Sequence, residues 1–281
     1  MKYIYLLLIC FASESLQGQW TQEEGKGYYK LGVWWLEADE HYTNTGLVDP
    51  NATRGLFITN FFGRYGLNNQ ATIIAYIPHT RIYQNTQVFS SGRESIDGEQ
   101  FSSLGDINLG VEYQVAKNKG WAYSISLSLG LPTGKNRGGS DGSYQTGDGE
   151  FNQLLRFHVG KSYQIGLHDF YAKASIGMNQ RSNDFSDEMR ASLETGTKIL
   201  KNQFLVLIRA NTIQSFHNGS LDASNSNGSI FANNVEVVNL GGELIYQLAP
   251  KLSWGISSSY PLIGQVLYKG AVFSTRISYQ P

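Results

Sequence analysis

The chain has 281 residues, of which 31 are glycine, 13% are aromatic and only 16% are charged. Its 22 basic and 23 acidic residues leave a net charge of −1, which excludes the strongly basic surface of an electrostatic nucleic-acid binder. A mean hydropathy of −0.28 excludes a bundle of membrane-spanning helices, and the aromatic content excludes a disordered chain. The composition predicts a glycine-rich and aromatic-rich all-β protein.

The first residues predict export. Lys2 is followed by a short apolar run over residues 3–11, and the small residue Gly18 is a plausible cleavage edge. The run is too short to span a bilayer and has the layout of a secretory leader, although a buried first strand is the alternative. We predict a signal peptide over residues 1–18 and one domain over 19–281. The single cysteine, Cys10, would leave with the leader, as suits a bacterial envelope protein.

The clearest strand signal lies in the middle of the chain. Over residues 107–115, apolar side chains alternate with small or polar ones, and the pattern restarts over residues 121–131. Period-two alternation predicts β-strands. Each segment has about the 9–11 residues with which a tilted strand crosses a bilayer.

The same alternation recurs along the rest of the chain. It is clear at 170–178, 189–199, 238–248, 252–260 and 273–279. Segments 151–159 and 204–213 are less regular because Leu154, Leu205 and Leu207 fall on the polar face. Three weaker candidates lie near 28–37, 55–65 and 70–80. Together these segments predict about twelve strands, and no long helix is evident.

The connectors between these segments alternate in length. Short links fall at 66–70, 116–120, 160–169, 200–203 and 249–251, and long polar links at 38–54, 81–104, 132–150, 179–188, 214–234 and 261–269. An antiparallel up-and-down barrel gives this pattern when its turns face one side and its loops the other. The predicted fold is a transmembrane barrel of about twelve strands, with both ends on the short-turn side.

Alternation alone does not decide whether the apolar face meets lipid or a protein core, so a soluble β-sandwich is an alternative. The leader, the strand length and the small polar character of the opposite face favour a membrane barrel. Aromatic residues near strand ends are typical of the girdles of such barrels, or are simply good strand formers: Trp121, Tyr123, Tyr246, Tyr260 and Tyr279. We predict the outer membrane of a Gram-negative bacterium as the location and its lipid as a partner.

One stretch of the chain carries a family resemblance. Leu104-Gly105-Asp106 opens a strand, the next strand ends in Leu131-Pro132-Thr133-Gly134, and Thr146-Gly147-Asp148-Gly149 lies in a glycine-rich loop. These motifs, within residues 104–157, resemble an outer-membrane β-barrel family associated with the phenol meta-cleavage pathway. The resemblance implies a barrel that serves as a channel for hydrophobic or aromatic compounds, and it brings no catalytic residue with it.

Ten ionisable residues fall on the predicted polar face of the strands. They are Glu112, Arg156, His158, Lys173, Arg190, Glu194, Lys198, Arg209, Glu243 and Arg276. Both signs of charge are present. Such a set can line a pore and set its ion preference, or it can form a structural salt-bridge network that fills a narrow barrel.

Other motifs give weak support for chemistry. His217 and Ser220 invite comparison with a lipolytic site in a barrel wall, but their spacing puts the two side chains on opposite faces of a strand. Asp141, Asp148 and Glu150 do not have calcium-loop spacing. We therefore predict no enzyme activity, no cofactor and no metal site.

The function predicted from the sequence is an outer-membrane channel or transporter for passive uptake of small, hydrophobic or aromatic molecules. The main alternative is a non-conducting structural or surface-interaction barrel. A membrane-embedded enzyme and a soluble secreted β protein are further alternatives. The sequence leaves the transported compound and the oligomeric state open.

Overall fold

A computed structural model describes residues 21–88, 95–166, 168–221 and 230–281. The predicted signal peptide at 1–18, with Cys10, lies outside this part of the chain. Sixteen strands follow one another: β1 Gly27–Tyr42, β2 Val48–Gly66, β3 Ala71–Gln84, β4 Gln87–Val88, β5 Ser95–Ile96, β6 Glu99–Leu104, β7 Ile107–Asn118, β8 Trp121–Leu131, β9 Asn152–Ile165, β10 His168–Arg181, β11 Glu188–Ile199, β12 Phe204–Ser215, β13 Glu236–Ala249, β14 Leu252–Gln265, β15 Leu267–Lys269 and β16 Val272–Tyr279. No helix in the described part of the chain is long and apolar enough to cross a membrane.

The strands form a closed antiparallel barrel. The wall runs in the order β1-β2-β3-β7-β8-β9-β10-β11-β12-β13-β14-β16, and β16 pairs with β1 to complete the ring. The predicted fold and its twelve-strand wall are confirmed. Closure pairs the backbone groups of every wall strand on both sides, so that no open strand edge meets the apolar surroundings.

Four short strands extend one end of the wall. β6 pairs with the long-loop end of β3 through residues such as Ile82 and Phe101, and β15 pairs with the end of β1 over Glu40–Tyr42. β4 and β5 pair only with each other. All four lie on the long-loop side of the barrel, which is therefore taller there than the bilayer requires.

The predicted long connectors at 38–54 and 261–269 are wrong in extent. β1 continues to Tyr42 and β2 begins at Val48, while only Val266 separates β14 from β15. The alternation in the sequence shows only the part of each strand that lies in the apolar band. Above that band the backbone ladder continues without a regular alternation of apolar and polar side chains, because ladder hydrogen bonds do not need an apolar face.

The short turn between β7 and β8 is a two-residue hairpin turn. Between β7 and β8 only Lys119 and Gly120 are unpaired, with φ of 46° and 81°. Positive φ at both central residues defines a type I′ turn, whose twist matches that of the flanking strands, and glycine adopts this conformation without strain. The turn places Asn118 opposite Trp121 and fixes the register of this hairpin.

The apolar faces of the strands point outward, as the sequence predicts. Leu31, Val115, Met178 and Leu193 each expose about 60% or more of their surface on the barrel exterior. Aromatic side chains mark two levels of this face. Tyr29 pairs with Tyr279 at the short-turn end, and Trp35 pairs with Phe273 six residues further along the same strands. Six residues cover about 20 Å along the strand, or about 15 Å along the axis of a barrel with the usual strand tilt, a separation that fits within an apolar band about 25 Å tall.

Candidate functional site: the barrel interior

The long-loop half of the interior contains an apolar cluster. Leu36 of β1, Leu56 of β2 and Ile82 of β3 face inward and are almost fully buried. Tyr144 joins them from the glycine-rich loop at 132–151, together with Tyr268 of β15. We call these five residues the outer plug. The loop therefore folds into the mouth of the barrel, a property that the sequence does not indicate.

Polar contacts hold Tyr144 in the outer plug. The guanidinium of Arg54, on β2, lies 5.6 Å from the centre of the Tyr144 ring. Arg54 also donates to Gln84 at 2.8 Å and to Ser143 at 3.5 Å. The loop tip is thus attached to both strands that line this side of the mouth.

Arg181, the last residue of β10, anchors the base of the same loop. Its guanidinium contacts Glu150 at 2.6 Å, Glu188 at 2.9 Å and Asp148 at 3.3 Å, and only 3% of its side chain is exposed. The backbone N–H of Ser182 also donates to Glu150, at 3.0 Å. Charge-assisted hydrogen bonds of this kind are stronger than neutral ones, so the loop base is a fixed part of the barrel.

Asp106 anchors the loop from the junction between β6 and β7. Its carboxylate accepts the backbone N–H groups of Gly134 at 2.8 Å and Asp148 at 2.9 Å. A Cβ on Gly147 would lie 2.3 Å from this carboxylate, so the close approach requires glycine. Burial, and then the nearby Asp148 carboxylate, raise the pKa of Asp106 from its ordinary 3.8 to about 6. The Gly-Asp and Thr-Gly-Asp-Gly motifs therefore form one structural unit.

The short-turn half of the interior carries a network of ion pairs. Arg209 on β12 bridges Glu194 on β11 and Glu243 on β13, with 2.6 Å between its Nη1 and Glu243 Oε2. Arg276 on β16 contacts the other oxygen of Glu243 and donates to the Tyr28 hydroxyl. We call Arg209, Glu194, Glu243 and Arg276 the inner network. It crosses four strands, and 38% of the Arg209 side chain stays accessible to water within the barrel.

The other predicted interior residues lie around this network. Arg64 contacts Glu112 at 2.6 Å, and Ser124 donates to the same carboxylate at 2.8 Å. His158 lies 2.8 Å from the Ser126 hydroxyl. Arg190 pairs with Glu188 at 2.6 Å. Three further cations face inward: Arg156 on β9, Lys173 on β10 and Lys198 on β11. The pairing between neighbouring strands places each of them opposite a residue that also faces inward.

All ten ionisable residues predicted for the polar face thus lie on the inside of the wall. The inner network brings four of them together, while Glu112 and Arg190 pair with residues that the sequence did not single out. Lys30, Arg64, Arg181 and Glu188 were missed. Lys30 and Arg64 lie on β1 and β2, where inward Trp34 and Ile58 hide the alternation. The inward leucines Leu154 and Leu207 are almost fully buried.

Open space remains beside the inner network. A pocket of about 360 Å³ lies between β1, β2 and β3 on one side and β13, β14 and β16 on the other. Lys30, Trp34, Tyr76, Asn239, Ser257 and Arg276 are among its lining residues. The volume lies at the lower end of the range for small-molecule sites, which is about 300–1,000 Å³.

The residues before β1 lie at the short-turn opening. Thr21 and Gln22 are both buried, and the Gln22 backbone N–H donates to the inward Thr72 hydroxyl at 2.7 Å. Gly25 donates to the Gly66 carbonyl at 3.0 Å. Residues 21–26 therefore narrow the barrel at this end.

The weak chemical motifs do not assemble into sites in the described residues. His217 lies 2.8 Å from Glu236, and Asn218 donates to Asp187, so the polar groups of this segment make loop contacts. Among the described residues, no group of three His, Cys, Asp or Glu side chains is arranged to hold a metal ion.

Comparisons with solved structures place the fold among outer-membrane barrels. An outer-membrane channel from Pseudomonas putida F1 is similar with a TM-score of 0.65 at 13% identity, over 93% of this chain and 97% of that one. The β domain of the Bordetella autotransporter BrkA gives 0.52 at 14% identity, over 92% and 100%. The NanC porin gives 0.50 at 9% identity, over 89% and 98%. No family model and no curated protein matches the sequence. At these identities the likeness establishes the fold, which agrees with the predicted outer-membrane location.

Proposed function

We propose that this protein is an outer-membrane channel through which small molecules, including hydrophobic or aromatic ones, cross passively. The observation that carries the proposal is the open pocket beside the inner network, since a barrel serving only as scaffold has no need of lined internal space. The similar fold of a Pseudomonas putida channel supports it.

In this proposal the interior has two zones. A solute entering from the long-loop side first meets the apolar outer plug, whose displacement with the loop around Tyr144 opens the mouth. It then passes the charged zone of the ten residues named above, which sets the preference among solutes. No covalent step is involved.

The test is conductance in planar bilayers together with solute flux into liposomes. The proposal expects discrete current steps and a flux that falls with solute size. No current and no flux from correctly folded protein would overturn it.

The competing function is a non-conducting barrel for structure or surface interaction. The insertion of Tyr144 among Leu36, Leu56 and Ile82 favours it, because this contact closes the outer mouth. Flux that appears when the Tyr144 side chain is truncated would separate a closed channel from a barrel with no path at all.

The signal peptide at 1–18 stays a prediction. Sequencing the N-terminus of the protein recovered from outer membranes tests it. A mature chain that begins within a few residues of Gln19 is expected, and one that begins at Met1 would contradict it.

A further inference from the structure

We propose that the pocket beside the inner network is a binding site for a small aromatic carboxylate. The proposal rests on the channel function proposed above and names the class of solute for which the pocket is built. Three features support it. They are an interior lysine that forms no ion pair with another described residue, aromatic rings at the same level of the barrel, and a glycine that leaves space between them.

Lys30 is the residue that would pair with the carboxylate of the ligand. It faces the interior from β1, and among the ion pairs formed by the described residues none involves Lys30. Its ammonium lies 4.9 Å from the centre of the Phe62 ring, a contact that stabilises the charge only partly. A cation enclosed by a protein wall without a carboxylate is costly, so a carboxylate from a solute gains energy by pairing with it.

The surrounding charges favour an anion over a cation. Glu243 is the nearest carboxylate of the inner network, and both of its oxygens already accept from arginine, one from Arg209 and one from Arg276. Glu194 is likewise held by Arg209 and by the Tyr171 hydroxyl. Each interior carboxylate here is therefore neutralised, whereas Lys30 adds a positive charge to the pocket. None of the described residues that line the pocket is acidic, so a cationic solute would find no carboxylate among them to bind.

The apolar part of the ligand is indicated by the rest of the lining. Trp34 and Tyr76 face the same pocket from β1 and β3. Flat aromatic side chains pack well against a flat ring, at offset or edge-to-face geometry. Asn60, Ser257 and Ser274 supply polar groups at the sides of the pocket. One anionic group and one ring match a lining with two aromatic side chains and with Lys30, which forms no ion pair with another described residue.

Gly32 provides the room. It lies between Lys30 and Trp34 on the inward face of β1, opposite Asn60 and Arg276. A Cβ at this position would lie 3.3 Å from Asn60 Oδ1 and 3.6 Å from Arg276 Cβ. A larger side chain would fit only by extending into the pocket. Gly32→Val therefore fills the space without changing the charge.

The first experiment measures binding to the purified full-length mature barrel in detergent at neutral pH, by isothermal titration calorimetry. The probes are benzoate, its neutral isostere benzamide, and acetate, which has the charge without the ring. We expect benzoate to bind at least about tenfold more tightly than benzamide, the effect of one charge-assisted hydrogen bond, and more tightly than acetate, which lacks the ring that packs against Trp34 and Tyr76. Equal affinity for benzoate and benzamide would overturn the proposal.

Two variants and a matched control locate the site. Lys30→Met should lose the preference for benzoate over benzamide, about tenfold or more, while Gly32→Val should weaken both probes. Lys161→Met removes the same charge from the outer face, where the lysine lies 4.8 Å from the Trp121 ring, and should bind like the unaltered protein. Unchanged selectivity in Lys30→Met would place the site elsewhere and refute the assignment.

Flux in liposomes separates this proposal from the channel function. Benzoate flux that exceeds benzamide flux and loses that advantage in Lys30→Met supports both proposals. Selective binding in detergent without any flux supports the site and contradicts the channel. Flux without selectivity, in protein that also binds both probes equally, supports the channel and overturns the carboxylate site.

Discussion

At the scale of single residues, a few buried charges decide how the glycine-rich loop sits in the barrel. Arg181 forms ion pairs with three carboxylates that come from the loop and from β11, and Asp106 accepts two backbone N–H groups of the loop. These contacts join segments far apart in the chain. Removing one member leaves its partners as buried, uncompensated charges, which costs more than the pair itself contributes.

Arg181→Met is therefore expected to release the loop. The three carboxylates would lose their common cation, at a cost of about 3–5 kcal/mol to the closed position of the loop. Lys135 and Arg137 should then become sites of rapid trypsin cleavage in the folded barrel. Arg81→Met, which removes an outward arginine lying over the Tyr83 ring, is the control. Equal cleavage rates in the two variants would contradict the anchoring role.

Asp106 predicts a pH dependence of loop closure. Because its pKa is raised from 3.8 to about 6, the closed loop binds the proton more tightly than the open loop does. The stability that this proton contributes is fully present below about pH 4 and is lost as the pH rises through about 6. The change is about 1–2 kcal/mol after screening by solvent.

Hydrogen exchange of the Gly134 and Asp148 amides, corrected for intrinsic rates, measures this effect. Protection should fall as the pH rises from 4 through 6. Asp106→Asn should reduce this pH dependence. Protection that rises with pH over this range would show that the sign is wrong.

At the scale of the strand, the sequence alternation assigns each face correctly where one face is purely apolar. On β11, Leu193 points outward with 62% of its surface exposed, and its neighbour Ser192 points inward to hydrogen-bond with Ser175 at 2.7 Å. On β1 the alternation of apolar and polar residues fails. Leu36 belongs to the outer plug and Trp34 packs against it, so both face inward, while Val33 and Trp35 face outward. The interior lysine of that strand could therefore not be recognised.

The pair at 192 and 193 tests the assignment of faces. Leu193→Arg should destabilise the barrel in lipid bilayers by about 2–4 kcal/mol, since it buries a charge in the hydrocarbon. Ser192→Arg should cost clearly less, because its side chain enters a polar interior. Denaturant titrations of the reconstituted protein, followed by tryptophan fluorescence, give both values. Equal costs would contradict a lipid-facing β11.

The loop at 132–151 behaves as a separate element with its own test. Truncating Tyr144 to alanine removes a buried ring from the outer plug, which should loosen the closed loop by about 3–5 kcal/mol. The single-channel conductance should rise, as the mouth is no longer filled. Tyr163→Ala, on the outer face where the ring stacks on Phe170 at 5.7 Å, should leave the conductance unchanged. A lower or unaltered conductance in Tyr144→Ala would exclude the loop as the closure.

At the scale of the whole molecule, the inner face of the closed wall carries more cations than carboxylates, although the chain as a whole is nearly neutral. Lys30, Arg64, Lys173, Lys198, Arg209 and Arg276 face the short-turn half of the barrel, against Glu112, Glu194 and Glu243. The net charge of −1 gives no hint of this separation. Low-dielectric walls focus such a field along the interior.

We expect this positive interior to make the channel selective for anions. In planar bilayers with a potassium chloride gradient, the reversal potential should have the sign of chloride preference, and the preference should weaken as ionic strength rises. Arg156→Gln, which removes one inward cation, should reduce it. A potassium preference in the unaltered protein would contradict the interior charge balance described here.

The sequence alone determined the class of fold, the strand number and the outward face of most strands. It could do so because strand geometry is local: side chains alternate every residue, and turns and loops differ in length. Only the tertiary structure decided which charges pair, where the glycine-rich loop lies, and that Lys30 borders an open pocket. These depend on contacts across the barrel between residues tens to hundreds of positions apart, and no local pattern encodes the closure that brings β1 against β16.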